Sequence, residues 1–326
     1  MAEERPGGKV EGRDLVPGLS ADLTRRTLFG RAIGIGGALA VQRREQRGRL
    51  FLNAPTLAGW PIESSLVLER SRETFSAVTL VTQKQAVSWE QRVRVRGALS
   101  LSYAYRFERN HTFDTAPPQP GLPRFDIAIN IARMTPTVAW DTRDDPSDTI
   151  RGSLVSSTLE WAPESAGSDI RFIRELAQAY YFRPLRGIVF ASAARVGVVQ
   201  PLGGQELIVS ERFFAGGSRT VRSVGEDGLG ERDFFGDPRG GQALLVLNQE
   251  ARVPIYKWVR GVGFVDAGNV FARAGDLTFG DLVGSIGVGL RVSTPFALLR
   301  ADYARSVAAG PLGRSGRFIF GIGHAF

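Results

Sequence analysis

The sequence contains no cysteine and only two histidines among its 326 residues. The absence of cysteine excludes disulfide bonds, thiol chemistry and cysteine-ligated metals, although it does not identify a compartment. His111 and His324 lie far apart in the chain, so a histidine-rich zinc site is not expected. Neither histidine lies in a nucleophile motif, which argues against Ser-His-Asp catalysis. We therefore expect a protein that is not an enzyme and that holds no metal.

Long apolar runs are also missing, so the sequence predicts no transmembrane helix. The segment TRRTLFGRAIGIGGALA (24–40) imitates a twin-arginine export signal, because paired arginines precede a short apolar stretch. The same segment is also typical of two strands around a tight turn at Phe29–Gly30. Glycines interrupt its apolar run and polar alternation continues on both sides, so we favour the two strands.

The formal net charge is +8 and the isoelectric point is about 10.3. Such a balance raises nucleic acid, anionic lipid or a charged pore as partners. Most arginines, however, stand singly at alternating positions, as Arg92, Arg94 and Arg96 do. Basic motifs interleaved with aromatic residues, which would favour nucleic acid, are not found. Nucleic acid is therefore not a predicted partner.

What the sequence has in quantity is glycine, with 39 residues, and phenylalanine, with 20. Both occur in segments that alternate large and small or polar residues with a period of two, as strands do. The last segment, RFIFGIGHAF, illustrates this, since Phe318, Phe320, Ile322, His324 and Phe326 fall on one face. The segments predicted as strands are 19–28, 31–45, 47–57, 61–74, 76–88, 92–109, 124–140, 151–161, 170–182, 187–199, 242–254, 260–272, 283–293, 297–306 and 316–326.

These segments predict an all-β fold, a transmembrane antiparallel β-barrel of the 16-stranded type. Many exceed the roughly 9 to 11 residues that a tilted strand needs to cross a membrane, whereas strands in soluble proteins average about 5 to 6. Only about 15 strands can be recognised, although single-chain bacterial barrels usually have an even number and must close. We expect residues 1–18 to contain a degenerate first strand and residues 19–326 to form the barrel.

The glycine-rich stretch FFAGGSRTVRSVGEDGLG (213–230) lies between two predicted strands. A phosphate-binding loop would need a helix after the glycines, and neither a GK[ST] motif nor a helical pattern follows. A second loop-like stretch, WDTRDDP (140–146), is acidic, but Pro146 and Gly152 replace the glycine and glutamate that an EF-hand calcium loop requires. We interpret it as a turn.

Four stretches together resemble the BamA/TamA-type outer-membrane assembly factors, the bacterial surface antigen barrel domain. Residues 213–230 resemble the sixth extracellular loop of that family, whose pattern is an aromatic, then A-G-G, then V-R-G-F/Y. GFVDAGNVF (263–271) resembles its lumen-facing Asp strand, GVGLRVSTPFALLRADYA (287–304) its penultimate strand pair, and FIFGIGHAF (318–326) its terminal strand. WDTRDDP is similar to one of its periplasmic turns.

The resemblance implies that the loop, residues 200–241, folds back into the barrel lumen. Arg222 would then pair with Glu250 and Asp266 on the inner wall, and strand parity places Glu250 on the polar face of its segment. The alternative is an ordinary solvated loop. The family motif is kept in Gly216, Gly217, Val221 and Arg222, whereas Ser223 replaces its glycine and Val224 its aromatic residue.

In function, the resemblance implies a barrel that folds and inserts other outer-membrane proteins without a cofactor. A lateral seam between the first and last strands would open, and a substrate strand would add to the exposed edge. On the terminal strand this seam comprises Phe318, Phe320, Gly321, Ile322, Gly323 and Phe326. Glycine weakens a strand interior, which suits a seam; alternatively, the two glycines relieve crowding in the lumen.

The implied partners are the lipid bilayer and lipopolysaccharide, unfolded outer-membrane proteins and accessory assembly subunits, in a Gram-negative outer membrane. The resemblance also implies that residues 1–18 contain the end of a POTRA domain and that an export signal lies upstream. Three alternatives remain open. The chain could be a pore or secretion channel of the same superfamily, a barrel-only fragment without insertase activity, or a soluble β-rich protein exported by the twin-arginine route.

Overall fold

The computed structural model of the protein describes residues 19–25, 27, 33–41, 45–74, 80–114, 126–234, 236, 238–294, 297–307 and 316–326. Within these ranges the chain forms one antiparallel sheet in which each strand pairs with its neighbours in sequence. The strands are β1 (Leu19–Arg25), β2 (Gly34–Val41), β3 (Glu45–Ala54), β4 (Ile62–Thr74), β5 (Leu80–Arg96), β6 (Leu99–Asp114), β7 (Asp126–Asp141), β8 (Gly152–Ala162), β9 (Phe172–Leu185), β10 (Ile188–Pro201), β11 (Ala243–Tyr256), β12 (Val259–Phe271), β13 (Val283–Ser293), β14 (Leu298–Ser306) and β15 (Gly316–Ile322).

Helical structure in the described ranges is limited to four single-turn 3-10 helices, at Glu164–Ala166, Val209–Glu211, Ala274–Asp276 and Phe279–Asp281. No helix in the described part of the chain is long and apolar enough to span a membrane. The all-β prediction and the recognition of fifteen strands are confirmed. Residues 24–40 contribute to β1 and β2, as favoured, while the predicted turn at Phe29–Gly30 and the degenerate first strand in residues 1–18 lie outside the described residues.

The predicted boundary between the fifth and sixth strands is wrong. The sequence predicted a turn between residues 88 and 92, but β5 continues to Arg96 and the turn follows at Gly97, whose φ is 54°. Outward-facing Trp89 and Val93 continue the alternation of β5 and pair with Tyr105 and Leu101 of β6. The segment therefore contains no residue that would break a strand before Gly97, which supplies the positive φ of the turn.

The outer face of the sheet is apolar along its whole width. Each strand exposes at least one large hydrophobic side chain on this face: Leu23, Ile35, Leu50, Leu68, Trp89, Leu101, Val138, Val155, Tyr181, Phe190, Val253, Val265, Ile286, Leu299 and Phe318. On β11 and β12 the intervening residues point to the other face, where Asn248, Glu250 and Asp266 are buried. Apolar residues outside and polar residues inside are the pattern of a membrane barrel, in which lipid contacts the outer face.

The end of β15 differs from the prediction. The strand stops at Ile322 because Gly323 has a φ of 86°, and its N–H bonds the carbonyl of Leu298 at 2.7 Å. The prediction that His324 and Phe326 share the outer face with Phe318 is therefore wrong. The side chain of His324 is only 7% exposed. Alternation fails here because a residue with positive φ reverses which face the following side chains reach.

Candidate functional site

A long connection, residues 202–242, joins β10 to β11 and is called the lumen loop here. It lies against the polar face of the sheet, and several of its side chains are buried there, among them Glu211 and Arg222. The sheet is antiparallel, so this connection and the end of β15 lie at opposite ends of the strands. The loop thus extends back from one mouth of the barrel along the inner wall.

The glycine motif makes a tight turn within the loop. Gly216 and Gly217 have φ values of 117° and 92°, which L-residues with side chains rarely adopt. A side chain at Gly216 would collide with the Gly225 carbonyl, and one at Gly217 with Glu226. The Gly217 N–H donates to the Val224 carbonyl at 3.0 Å, which closes the turn.

The loop also has a small apolar core. Val221 and Val224 are buried together with Ala215 and Leu229, and this cluster packs on Val246 of β11 and Val270 of β12. Val224 stands where the family pattern has an aromatic residue, and it fills the same apolar cluster as its neighbours. Ser223 stands where the pattern has glycine; its φ is not positive, and its N–H donates to Ser285 Oγ at 3.2 Å. Neither departure breaks the turn.

Arg222 lies at the centre of the site and is fully buried. Its Nε and Nη2 donate to the two oxygens of Asp266 at 2.8 and 2.7 Å, and its Nη1 donates to Glu250 Oε1 at 2.7 Å. Its backbone N–H also donates to Asp266 Oδ2 at 3.2 Å. The guanidinium stacks over Phe264, with Cζ 3.3 Å from the ring centroid. The structure thus brings together the three residues that the sequence and the resemblance named.

Further charges that the sequence did not indicate complete this cluster. Asp302 of β14 lies 3.5 Å from Arg222, and Arg291 of β13 ion-pairs with both Asp302 and Glu250. Arg252, two residues after Glu250 on β11, pairs with it at 2.9 Å. Buried charges are stable only when each is paired and hydrogen-bonded, and this cluster meets that condition through shared partners. The signal that could have identified Arg291 and Asp302 is their position on the inward-facing side of β13 and β14.

A second charged cluster holds the first part of the loop. Glu211 is 2% exposed and lies 3.2 Å from Arg133 of β7 and 3.1 Å from Arg174 of β9. Both arginines also pair with Glu160 of β8, at 3.4 and 3.1 Å. Glu211 was not predicted, because it lies in a single-turn 3-10 helix that is too short for periodicity to mark an inward-facing residue.

The last residues form a third contact, at the other end of the strands. His324 Nε2 bonds Asp148 Oδ1 at 2.9 Å, and Arg260 Nη1 and Nη2 reach the same carboxylate at 2.6 Å each. Hydrogen bonds from His324 and Arg260 hold the pKa of Asp148 well below its usual range. Burial lowers the pKa of His324, and the nearby Asp148 carboxylate opposes that shift only in part. Asp148 belongs to the β7–β8 connection, where the sequence predicted a turn.

The residues named for the seam divide into three groups. Phe318, Phe320 and Ile322 are exposed on the outer face, by 71%, 78% and 71%. Gly321 faces inward, where a Cβ would lie 3.1 Å from Arg300 Nη2, and Gly323 provides the turn that ends β15. Phe326 turns into the lumen, with its ring centroid 6.3 Å from that of Tyr180 and 5.8 Å from Arg252 Cζ. Both glycines thus have local structural roles.

The chain matches the Omp85 superfamily domain over residues 28–326 and belongs to that superfamily. A SAM50-like protein of Schizosaccharomyces pombe is 25% identical over 350 residues, which cover 98% of this chain and 70% of the relative. The outer membrane protein assembly factor BamA of Nitratidesulfovibrio vulgaris is 25% identical over 240 residues, which cover 70% of this chain and 30% of the relative.

Solved structures share the fold. BamA from Haemophilus ducreyi lacking POTRA domains 1–3 superposes with a TM-score of 0.79 at 17% identity, over 93% of this chain and 66% of that one. CdiB from Acinetobacter baumannii gives a TM-score of 0.55 at 11% identity, over 94% of this chain and 59% of that one. The predicted resemblance and the membrane β-barrel fold are therefore confirmed, and this chain spans less than a third of the bacterial BamA relative.

Proposed function

We propose that the protein is an outer-membrane barrel that folds and inserts other outer-membrane proteins through a lateral seam between its first and last strands. The observation that supports this function is that, among the described residues, β1 and β15 each pair with a single neighbouring strand. Within the described part of the chain, each strand therefore has one edge along which its backbone donors and acceptors face no other strand. Because unpaired backbone groups are costly in lipid, an incoming strand that pairs with this edge is stabilised there.

The terminal strand suits an edge that exchanges partners. β15 has seven residues, the shortest length in the sheet and one shared with β1. Phe318, Phe320 and Ile322 hold its outer face in lipid, while Gly321 leaves room for Arg300 on the inner face. A short strand has few ladder bonds, so it is the element whose pairing changes with least loss of free energy.

The lumen loop contacts this terminal strand directly. Arg317 of β15 donates to the Val224 carbonyl at 2.7 Å, and Arg300 of β14 donates to the Ser218 carbonyl at 3.2 Å. The loop segment on either side of Arg222 is therefore tied to the last two strands. We propose that the Arg222 cluster holds the loop in register so that the loop supports the inner side of the seam.

The proposed partners are the lipid bilayer with its lipopolysaccharide, unfolded outer-membrane proteins, and accessory assembly subunits. The second candidate is a pore or secretion channel of the same superfamily. A cavity of about 420 Å³ beside the lumen loop, lined by Arg174, Gln178 and Arg195 among others, favours it, because the loop leaves part of the lumen open. Conductance in a planar bilayer measures this alternative directly.

A disulfide experiment tests the seam, since the chain has no native cysteine. The two variants are Phe320→Cys on β15 and the matched control Val288→Cys on β13, both exposed on the outer face. Each is reconstituted in liposomes with a barrel substrate that has one cysteine in its last strand. We expect disulfide-linked substrate with Phe320→Cys and little with Val288→Cys. Equal linkage at both positions, or insertion of substrate with no linkage at Phe320→Cys, would contradict the seam.

A further inference from the structure

A group of arginines lies on the outer face of the sheet, at the strand ends farthest from the C-terminal residues. Arg70 and Arg72 of β4 and Arg109 of β6 are all exposed. Arg70 pairs across the sheet with Gln85 of β5, which pairs in turn with Arg109. Residues directly opposite share a face, so Arg70 and Arg109 lie two strand spacings apart, roughly 10 Å. Gln85 stands between them.

The register places these arginines at the upper boundary of the apolar band, meaning the boundary farthest from the C-terminal residues. Arg70 follows Leu68 on its face of β4, and Arg109 follows Phe107 on β6. From Leu99 to Arg109 the strand extends about 34 Å, which is about 26 Å along the membrane normal at a tilt of about 40°. The outward apolar band of such barrels is about 25 Å tall. Arg109 therefore lies at the level of lipid headgroups.

Below the arginines the outer face has a depression. Its volume is about 1190 Å³, and its lining includes Gly37, Gly48, Leu50 and Phe107 together with Arg70 and Arg109. The two glycines project no side chain, so the floor is low between larger apolar residues. A second depression of about 400 Å³ shares Arg70 with the first and is also lined by Arg72. The surface thus combines an apolar groove with a cationic upper rim.

These arginines have no acidic partner among the described residues. The adjacent acids point inward, where Glu69 pairs with Arg47 at 3.7 Å and Glu108 with Arg106 at 3.0 Å. Asp126 lies on the outer face, and it bonds His111 at 2.7 Å. Three positive charges are therefore left for a ligand at a surface that faces lipid.

We propose that Arg70, Arg72 and Arg109 bind the phosphate groups of lipopolysaccharide, whose acyl chains lie in the groove over Gly37 and Gly48. The proposal rests on the outer-membrane location proposed above. Guanidinium groups bind phosphate with charge-assisted, often bidentate hydrogen bonds. The separation of Arg70 from Arg109 suits a headgroup with two phosphates, and the intervening Gln85 amide offers a donor and an acceptor to sugar hydroxyls. A single-phosphate phospholipid would leave part of this cationic rim unoccupied.

The test compares a triple variant with a matched control. The triple variant is Arg70→Gln, Arg72→Gln and Arg109→Gln; the control is Arg305→Gln, an exposed arginine on the outer face at the same end of β14. Each protein is purified in detergent, its folded state is checked by heat-modifiable gel migration, and lipopolysaccharide is titrated. We expect the triple variant to bind at least roughly tenfold more weakly, because charge-assisted phosphate contacts are lost, and the control to bind like the parent.

Two further titrations separate the sources of phosphate. Dephosphorylated lipopolysaccharide should bind the parent as weakly as intact lipopolysaccharide binds the triple variant. Phosphatidylglycerol should bind more weakly than lipopolysaccharide and should not displace it. The proposal is overturned by equal losses in the triple variant and the control, by no effect of dephosphorylation, or by phosphatidylglycerol of equal affinity.

The same variants keep this proposal distinct from the seam. Substrate insertion by the triple variant is measured in liposomes without lipopolysaccharide, where the seam should act unchanged. Loss of lipopolysaccharide binding with normal insertion supports the site and leaves the seam intact. Absence of substrate linkage at Phe320→Cys in a parent that still binds lipopolysaccharide would remove the seam and retain the lipid site.

Discussion

The two charged clusters that hold the lumen loop have opposite polarity. At Glu211 the loop contributes the acid and the wall contributes Arg133 and Arg174. At Arg222 the loop contributes the base and the wall contributes Glu250 and Asp266. At the Arg222 position Glu211 would meet acids, and at the Glu211 position Arg222 would meet arginines. The two clusters together therefore disfavour any shift of the loop along the wall and any reversal of its direction. The opposite polarity of the two clusters therefore fixes the orientation of the loop on the wall as well as attaching it there.

The clusters also differ in what remains when the loop residue is removed. Without Glu211, Arg133 and Arg174 still pair with Glu160. Without Arg222, Asp266 retains a side-chain hydrogen bond from Asn248 at 2.8 Å but has no other ion pair in the described structure. A buried charge left without its partner is strongly destabilising. The Arg222 cluster is therefore the more sensitive of the two.

Arg222→Ala should have the largest effect. It leaves Asp266 buried without a cation, which costs about 3–5 kcal/mol for a broken buried pair. We expect loss of heat-modifiable gel migration or protease cleavage within residues 213–230. The matched control is Arg219→Ala, since Arg219 is exposed in the same loop. Unchanged behaviour of Arg222→Ala in both assays would show that the pairing does not hold the loop.

Glu211→Ala should have a smaller effect, because its two arginines keep a second carboxylate. Losing hydrogen bonds to a charged group costs about 1.5–3 kcal/mol. Protease cleavage should move to the first part of the loop, around residues 202–212, and spare residues 213–230. Glu206→Ala is the control, since Glu206 is exposed in the same segment. Cleavage at residues 213–230 instead would mean that the clusters are not separate.

Protonation of His324 should weaken the docking of the C-terminal residues. Phe326 in this segment lies against Arg252, which pairs with Glu250 of the Arg222 cluster. Because burial holds the pKa of His324 below its ordinary value, the released tail takes up a proton more readily than the docked tail. Docking is therefore complete above about pH 6.5 and weakens as the pH falls through that value towards the docked-state pKa. The lowered pKa of Asp148 matters only further into acid, below its ordinary value.

Nuclear magnetic resonance measures this titration, since a His111→Gln variant leaves one imidazole in the chain. The expected midpoint lies below 6.5. Asp148→Asn should lower it further, because the carboxylate is what favours the charged imidazole. A midpoint above 6.5 would contradict the buried, docked position.

The smallest expected quantity is the coupling between the two clusters. They share no ion-pair partner in the described structure, so the double variant Glu211→Ala, Arg222→Ala should show additive losses within about 0.5 kcal/mol. Unfolding in denaturant of all four proteins provides the cycle. Coupling well above that value would mean that the loop is held as one rigid piece.

Alternation made most of the fold predictable, because a membrane barrel places apolar and polar residues on opposite faces of every strand. Its failures lie at glycines. Gly323 is compatible with a strand by pattern, and only the backbone shows that its φ is positive. The pairing of Arg222 was predictable because its partners occupy regular inward positions and because the loop resembles a known motif. Glu211 was not, since a single helical turn is too short for periodicity to show where its side chain points.

The order of the sheet has a directional consequence. In an antiparallel sheet, strands of odd number run the same way, so β1 and β15 both point toward the end of the barrel where the C-terminal residues lie. If these two edges met, they would pair in parallel, against the pattern of every other ladder. A single strand running the opposite way is antiparallel to both. Whatever its source, a strand that enters between them can join both edges with the ladder used throughout the sheet.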